Sequence, residues 1–130
     1  MKILIADDDF TSCTMLKEML ANFGTVHVAD SGRRALAYVK KTLADISYYD
    51  LICLDMYMPG LSGERTLMEI RKLEKDFGRN GFNAAKIVVM TTVNDSETIR
   101  SAFRGNCDAY WVKPFDRKIM MEYLNRFNLV

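Results

Sequence analysis

The chain has 130 residues, of which 49% are hydrophobic and 27% charged, a composition typical of one globular domain. Its 18 basic and 17 acidic residues leave a net charge of +1, which does not favour nucleic acid or an anionic membrane as the main partner. The N-terminal apolar run ends after a few residues at an acidic cluster, so it predicts neither a signal peptide nor a membrane span. We expect a single domain over residues 1–130 in the cytoplasm, without membrane insertion.

Five short apolar runs alternate with longer segments of helical period along the chain. The runs predict strands at Lys2 to Ala6, Thr25 to Ala29, Leu51 to Asp55, Ile87 to Thr91 and Ala109 to Val112. Apolar stripes predict five helices, around residues 13–23, 35–43, 67–77, 99–103 and 119–127. N-cap residues are expected at Ser31, Ser62, Asp95 and Asp116, and Gly24, Gly78 and Gly105 follow helical stripes.

The third run, LICLD, is continuously apolar up to its final residue, which is expected when helices cover both faces of a parallel sheet. Right-handed crossovers then predict an α/β fold, a three-layer doubly wound sandwich of five parallel strands and five helices. The segment EKDFGRNGFNAAK, residues 74–86, is predicted to be a surface loop.

Three cysteines, Cys13, Cys53 and Cys107, are odd in number and far apart, which favours buried reduced thiols over disulfides. The lone histidine, His27, lies in the apolar run TVHVA and is predicted to be a strand residue. One histidine and three scattered cysteines do not make a zinc site.

Polar residues follow several of the predicted strands. Asp7 to Asp9 follow the first strand, Asp55 ends the third, Thr91 ends the fourth, and Lys113 follows the fifth. Each residue alone could be a helix cap, a turn or a surface residue. Ligands of such folds bind at the carboxyl ends of the strands, so the shared position favours one site.

Carboxylates with open coordination positions suit Mg²⁺, a hard cation that prefers oxygen ligands. A phosphoryl group could be held by the metal, an ammonium and a hydroxyl, while one carboxylate attacks phosphorus to form an acyl phosphate. The residue types therefore point to phosphoryl transfer.

Four motifs, ILIADDD, LICLDMYMPG, IVVMTT and AYWVKPF, occur in this order over essentially the whole chain. Together they resemble the receiver domains of two-component response regulators, in particular single-domain regulators of the chemotaxis type. The resemblance implies a flavodoxin-like fold with strand order 2-1-3-4-5. It also implies a signalling phosphoacceptor rather than an enzyme, which takes a phosphoryl group onto Asp55 from a histidine kinase or histidine phosphotransfer protein.

The resemblance also implies the metal ligands. Asp8 and Asp55 would bind Mg²⁺, or Mn²⁺ in its place, together with the backbone carbonyl of Tyr57. Asp7 would contribute through water, and Asp9 would lie at the start of the first helix.

Further roles follow from the same resemblance. Lys113 would pair with the phosphoryl group, Thr91 would move to hydrogen-bond it, and Tyr110 would follow as the aromatic switch. Thr92 makes the switch hydroxyl ambiguous by one position, although the register with KPF favours Thr91. The bond from Lys113 to Pro114 is expected to be cis.

The sequence departs from the commonest receiver pattern at several positions. Asn106 stands where glycine is usual. Tyr57 and Val93 occupy the two variable positions that flank the phosphorylation site, and both are bulky or apolar. We interpret them as limiting the access of water, which would lengthen the life of the phosphorylated form.

Two other readings stay open. DDDFT also matches haloacid-dehalogenase-type phosphohydrolases, with Asp7 as nucleophile and Asp9 as general acid, but that reading leaves LDMYMPG without a role. The chain could also be a receiver-like module that is never phosphorylated.

The output is expected to be binding, if the chain ends naturally after its fifth helix. Phosphorylation would change a surface formed by the fourth helix, fifth strand and fifth helix, where Arg100, Arg104, Arg117 and Lys118 would add basic charge. These four could equally be ordinary solvated charges. The downstream partner is not identified by the sequence, and a homodimer is one alternative.

Overall fold

A computed structural model describes residues 1–92, 97, 101, 104, 107–114 and 116–130. Its five strands form one parallel sheet in the order β2-β1-β3-β4-β5. The strands are β1 (Lys2–Ala6), β2 (Thr25–Ala29), β3 (Leu51–Asp55), β4 (Lys86–Thr91) and β5 (Ala109–Val112). The predicted fold class and strand order are confirmed, and β4 begins one residue earlier than predicted.

Four helices are described: α1 (Phe10–Leu20), α2 (Gly32–Ala44), α3 (Gly63–Asp76) and α4 (Arg117–Arg126), which is the fifth helix of the sequence prediction. Three predicted N-caps are confirmed, because Ser31, Ser62 and Asp116 accept backbone N–H bonds at the starts of α2, α3 and α4. Most of the predicted fourth helix lies outside the described residues, as do Asp95, Gly105 and Asn106. None of the described helices has the length and apolar character needed to span a membrane.

The side chains of β3 alternate between two apolar cores. Leu51 and Cys53 pack in the core shared with α1 and α4, while Ile52 and Leu54 pack in the core under α2 and α3. Every residue of β3 is buried, Asp55 included. The sandwich therefore explains why this run is apolar at consecutive positions.

The prediction of a surface loop over residues 74–86 is wrong for its first three residues. α3 continues to Asp76, and Gly81–Asn83 form a short 3-10 turn. Glu74 is buried because its carboxylate accepts hydrogen bonds from Arg71 Nη1 at 2.8 Å and from the Ala85 N–H at 2.7 Å. A buried carboxylate with two donors is compatible with the core, whereas the sequence alone suggests a solvated charge.

One apolar residue of the predicted stripe of α4, Ile119, does not face the core. Met120 and Leu124 are buried, whereas Ile119 is 45% exposed. The apolar residue Ile119 is therefore available at the surface beside β5.

The sulfur atoms and the histidine take structural positions. Cys13 and Cys53 are buried and Cys107 is half-buried, all as free thiols. Burial raises the pKa of Cys53 to about 12 and those of Cys13 and Cys107 to about 11. His27 lies in β2 as predicted, with Nδ1 2.7 Å from the Tyr49 hydroxyl.

Ile46 lies between α2 and β3 with φ of 55°, although it is β-branched and 76% exposed. This left-handed conformation costs a residue with a side chain roughly 1–2 kcal/mol. We expect Ile46→Gly to raise the free energy of unfolding by about 0.5–1 kcal/mol, because relief of the clash exceeds the added entropy of the unfolded chain. Urea denaturation followed by circular dichroism measures the change.

Ile46→Ala is the matched control for this experiment, because it removes the exposed apolar side chain but keeps Cβ. It should recover a smaller part of the gain. An equal gain in both variants would mean that the backbone conformation is not the cause.

Candidate functional site

The carboxyl edge of the sheet brings together residues that are distant in the sequence. Asp7 follows β1, Asp55 ends β3, and Lys113 follows β5. Lys113 Nζ lies 2.7 Å from Asp7 Oδ2 and 3.5 Å from Asp55 Oδ2, so this ammonium pairs with both carboxylates. Lys113 and Asp7 are 106 residues apart in the sequence, and the parallel sheet brings them into contact.

Asp7, Asp8 and Asp55 form an acidic cluster. One carboxylate oxygen from each residue can be chosen so that all three lie within 4.8 Å of one another. Asp7 and Asp55 are buried, with 2% and 6% exposure, whereas Asp8 is exposed to solvent. Three oxygen ligands with one open side fit a Mg²⁺ ion that keeps several of its waters. The cluster could therefore bind a metal ion.

The three consecutive acidic residues differ in their contacts. Asp7 Oδ1 accepts the Asp9 N–H at 2.9 Å, and its Oδ2 accepts from Lys113, so both oxygens of Asp7 already have donors. The Asp9 carboxylate caps α1 by accepting from the Thr11 N–H at 3.1 Å and the Ser12 hydroxyl at 2.9 Å. Asp8 and Asp9 are both exposed, and of these two only Asp8 belongs to the cluster with Asp7 and Asp55.

Burial and neighbouring charge shift two of the site's pKa values. Burial raises the pKa of Asp55, and the hydrogen bond and negative charge of Asp7 raise it further. Burial alone would lower the pKa of Lys113, but its hydrogen bond to Asp7 and the charge of Asp55 outweigh that effect and raise it. Lys113 is therefore a cation at neutral pH, held against acidic groups that lack other counter-charge in the described part of the chain.

Two residues that the sequence analysis missed shape the site. Cys13 donates from Sγ to the Asp7 carbonyl at 3.2 Å, which fastens α1 to the acidic turn. Gly63 begins α3 against the backbone of Asp55, where a Cβ atom would overlap the Asp55 carbonyl oxygen. The glycine could have been recognised in the sequence, since a close backbone approach at a helix start favours glycine. No sequence pattern indicates the contact of the Cys13 thiol.

The predicted switch residues occupy the two strands beside the site. Thr91 ends β4 as a buried residue, while Thr92 is exposed. The Thr91 carbonyl accepts the Lys113 N–H at 2.7 Å. Tyr110 is half-buried in β5, and the peptide bond between Lys113 and Pro114 is cis.

Of the two residues expected to tune hydrolysis, Tyr57 and Val93, the structure describes only Tyr57. Tyr57 follows Asp55 by two positions, donates its N–H to Asp55 Oδ1 at 3.2 Å, and is 51% exposed. Val93 lies outside the described residues.

The profile of the response regulator receiver domain family matches residues 3–125. The chain belongs to this family, whose members act as phosphoacceptors in two-component signalling and are not generally classed as enzymes.

Particular relatives are similar over nearly the whole chain. The transcriptional regulatory protein ZraR of Escherichia coli K12 is 33% identical over 115 residues, which are 88% of this chain and 23% of ZraR. CitT of Halalkalibacterium halodurans is 28% identical over 97% of this chain and 51% of its own length. The chain thus spans about a quarter to a half of these relatives. CheY of Treponema pallidum is 27% identical over 93% of this chain and 78% of its own length.

Solved structures show the same fold. Chemotaxis protein CheY4 of Vibrio cholerae is 26% identical with a TM-score of 0.78, and 97% of each chain is covered. The receiver domain of the histidine kinase CKI1 from Arabidopsis thaliana, complexed with Mg²⁺ and BeF₃⁻, is 26% identical with a TM-score of 0.82, over 98% of this chain and 89% of that one.

The contacts within the acidic triplet lead to a prediction. We expect Asp8→Ala to weaken Mg²⁺ binding by about tenfold or more, because it removes an exposed carboxylate of the cluster. Asp9→Ala is the matched control, since it removes the neighbouring carboxylate and should lower the melting temperature through loss of the α1 cap. Isothermal titration calorimetry measures the binding. Equal loss of Mg²⁺ affinity in the two variants would contradict the assignment.

Proposed function

We propose that this protein is a phosphorylation-dependent signalling switch, with residues 1–130 acting as one receiver domain and Asp55 accepting the phosphoryl group. The donor would be the phosphohistidine of a histidine kinase or phosphotransfer protein. One observation carries the proposal: Asp55 clusters with Asp7 and Asp8 and lies 3.5 Å from the Lys113 ammonium.

The residues support a direct transfer. An Asp55 carboxylate oxygen attacks phosphorus, the bond from phosphorus to the donor's imidazole nitrogen breaks, and the imidazole keeps the electron pair and takes a proton. The Lys113 ammonium can move from the carboxylates to the oxygens of the incoming phosphoryl group. Asp8, Asp55 and the Tyr57 carbonyl would hold Mg²⁺, with Asp7 acting through water; when bound, the ion neutralises negative charge on the phosphoryl group and the carboxylates.

The two alternatives have less support. The phosphohydrolase reading makes Asp9 a general acid, but its carboxylate is occupied as the α1 cap. A module that is never phosphorylated has no need for the cluster of Asp7, Asp55 and Lys113, which costs desolvation energy.

The output surface we propose includes β5 and α4. A cavity of about 300 Å³ lies between these elements, and Trp111, Ile119 and Tyr123 contribute to its lining. Arg117 and Lys118 are exposed nearby on α4, and Arg104 is also exposed, whereas Arg100 lies outside the described residues. The surface therefore combines an apolar groove with basic charge, which suits an acidic amphipathic partner or a second copy of the chain. Thr91 and Tyr110 would couple it to the phosphorylation site.

Phosphorylation tests the function directly. Incubation with Mg²⁺ and acetyl phosphate should add one phosphoryl group, detected by mass spectrometry of the intact protein. Asp55→Asn should abolish the addition, because the amide is not a nucleophile. Asp76→Asn, which changes an exposed residue of α3, is the matched control and should be modified as the wild type is. Persistence of the added group in Asp55→Asn would refute the assignment of the acceptor.

The lifetime of the phosphorylated form tests the role of Tyr57. We expect Tyr57→Asn to speed loss of phosphate by about twofold or more, because a smaller polar side chain admits and orients water. Phosphate release is followed after removal of the donor. Tyr57→Phe keeps the bulk and should retain the wild-type rate; an unchanged or slower rate in Tyr57→Asn would exclude this role.

A further inference from the structure

A charged cavity lies at the amino edge of the sheet, opposite the phosphorylation site. It has a volume of about 360 Å³ and lies between the end of α3, the 3-10 turn and Asp108. Ala85 and Asp108 precede β4 and β5, whereas Asp55, Thr91 and Lys113 lie at the other ends of the strands. The cavity is therefore separate from the acidic cluster.

The two carboxylates that line this cavity already have cationic partners. Glu74 Oε1 accepts from Arg71 Nη1 at 2.8 Å, and its other oxygen accepts the Ala85 N–H at 2.7 Å. Asp108 Oδ2 accepts from Arg71 Nη2 at 2.8 Å, and its Oδ1 lies 4.0 Å from Lys86 Nζ. The charges of Glu74 and Asp108 are thus balanced by Arg71 and Lys86.

Two further cations line the cavity, Lys75 and Arg79. Neither has a carboxylate within ion-pair distance in the ranges that the structure describes. Arg79 is held in place, because its guanidinium stacks on the Tyr48 ring at 3.6 Å and donates to the Asn83 carbonyl. Its Nη1 is buried, with no hydrogen-bond acceptor among the residues that the structure describes. The charges of Lys75 and Arg79 are therefore not balanced by a carboxylate among the described residues, which favours an anion in the cavity.

We propose that this cavity binds a small phosphate-bearing anion through Lys75 and Arg79. A guanidinium presents a planar fork of donors that matches phosphate oxygens, and an ammonium adds a second positive charge. The volume admits more than an inorganic phosphate ion, so phosphomonoesters are the class of ligand that fits. Glu74 and Asp108 would repel an anion, which places the phosphate on the side of Lys75 and Arg79.

Nuclear magnetic resonance tests the proposal. Inorganic phosphate and adenosine monophosphate are titrated separately into ¹⁵N-labelled protein without Mg²⁺, with NaCl at matched ionic strength as the blank. We expect saturable shifts of the amides of residues 71–85 and 108 that NaCl does not cause. Saturation by phosphate alone identifies the free ion as ligand, and tighter binding of the nucleotide identifies an ester; both support the site. Absence of saturable shifts there with both probes overturns it.

Charge-removing variants locate the binding. Lys75→Gln and Arg79→Gln should each weaken the affinity for the bound probe by about fivefold or more, because each removes one charge-assisted contact. Lys72→Gln is the matched control, since Lys72 is exposed on α3 and does not line the cavity. Arg79 also stacks on Tyr48, so the exposed Lys75 provides the test that leaves the fold intact. Unchanged affinity in Lys75→Gln, with shifts at the same amides, overturns the assigned contacts.

Discussion

The Lys113 ammonium allows two carboxylates to remain buried side by side at the carboxyl edge of the sheet. Like charges at about 4 Å repel by roughly 4 kcal/mol in a partly screened site, and burial adds a desolvation cost. Lys113 offsets this repulsion by lying 2.7 Å from Asp7 and 3.5 Å from Asp55. Its position depends on the pairing of β5 with β4, because its own N–H bonds the Thr91 carbonyl. The charge balance of the site is therefore a property of the whole sheet.

The two edges of the sheet have different electrostatic characters. The carboxyl edge concentrates carboxylates around one ammonium, which suits a cation and a phosphoryl group. At the amino edge, Arg71 links α3 to Asp108 and to the Ala85 carbonyl, which anchors the starts of β5 and β4. These two strands are thus tied together at the edge opposite Thr91 and Lys113.

Much of the fold was predictable because local patterns report burial directly. β3 could be identified from four consecutive apolar residues before Asp55, since only a strand covered on both faces needs such a run. The N-caps Ser31 and Ser62 were predictable for the same local reason, because a cap bonds an N–H three residues later. α4 was less predictable, because Ile119 and Met120 are both apolar and only packing against β5 determines which one is buried.

By itself, the sequence determined the strands, the sheet type, the family motifs and the placement of Asp7, Asp55 and Lys113 at one edge. The tertiary structure alone decided the partners of these charges: that both oxygens of Asp7 have donors and that Glu74 is buried. The physical reason is the distance along the sequence between the interacting groups. Periodicity and turn chemistry depend on neighbours within a few residues, whereas a buried charge is stabilised by a donor that the fold brings from as far as 106 residues away.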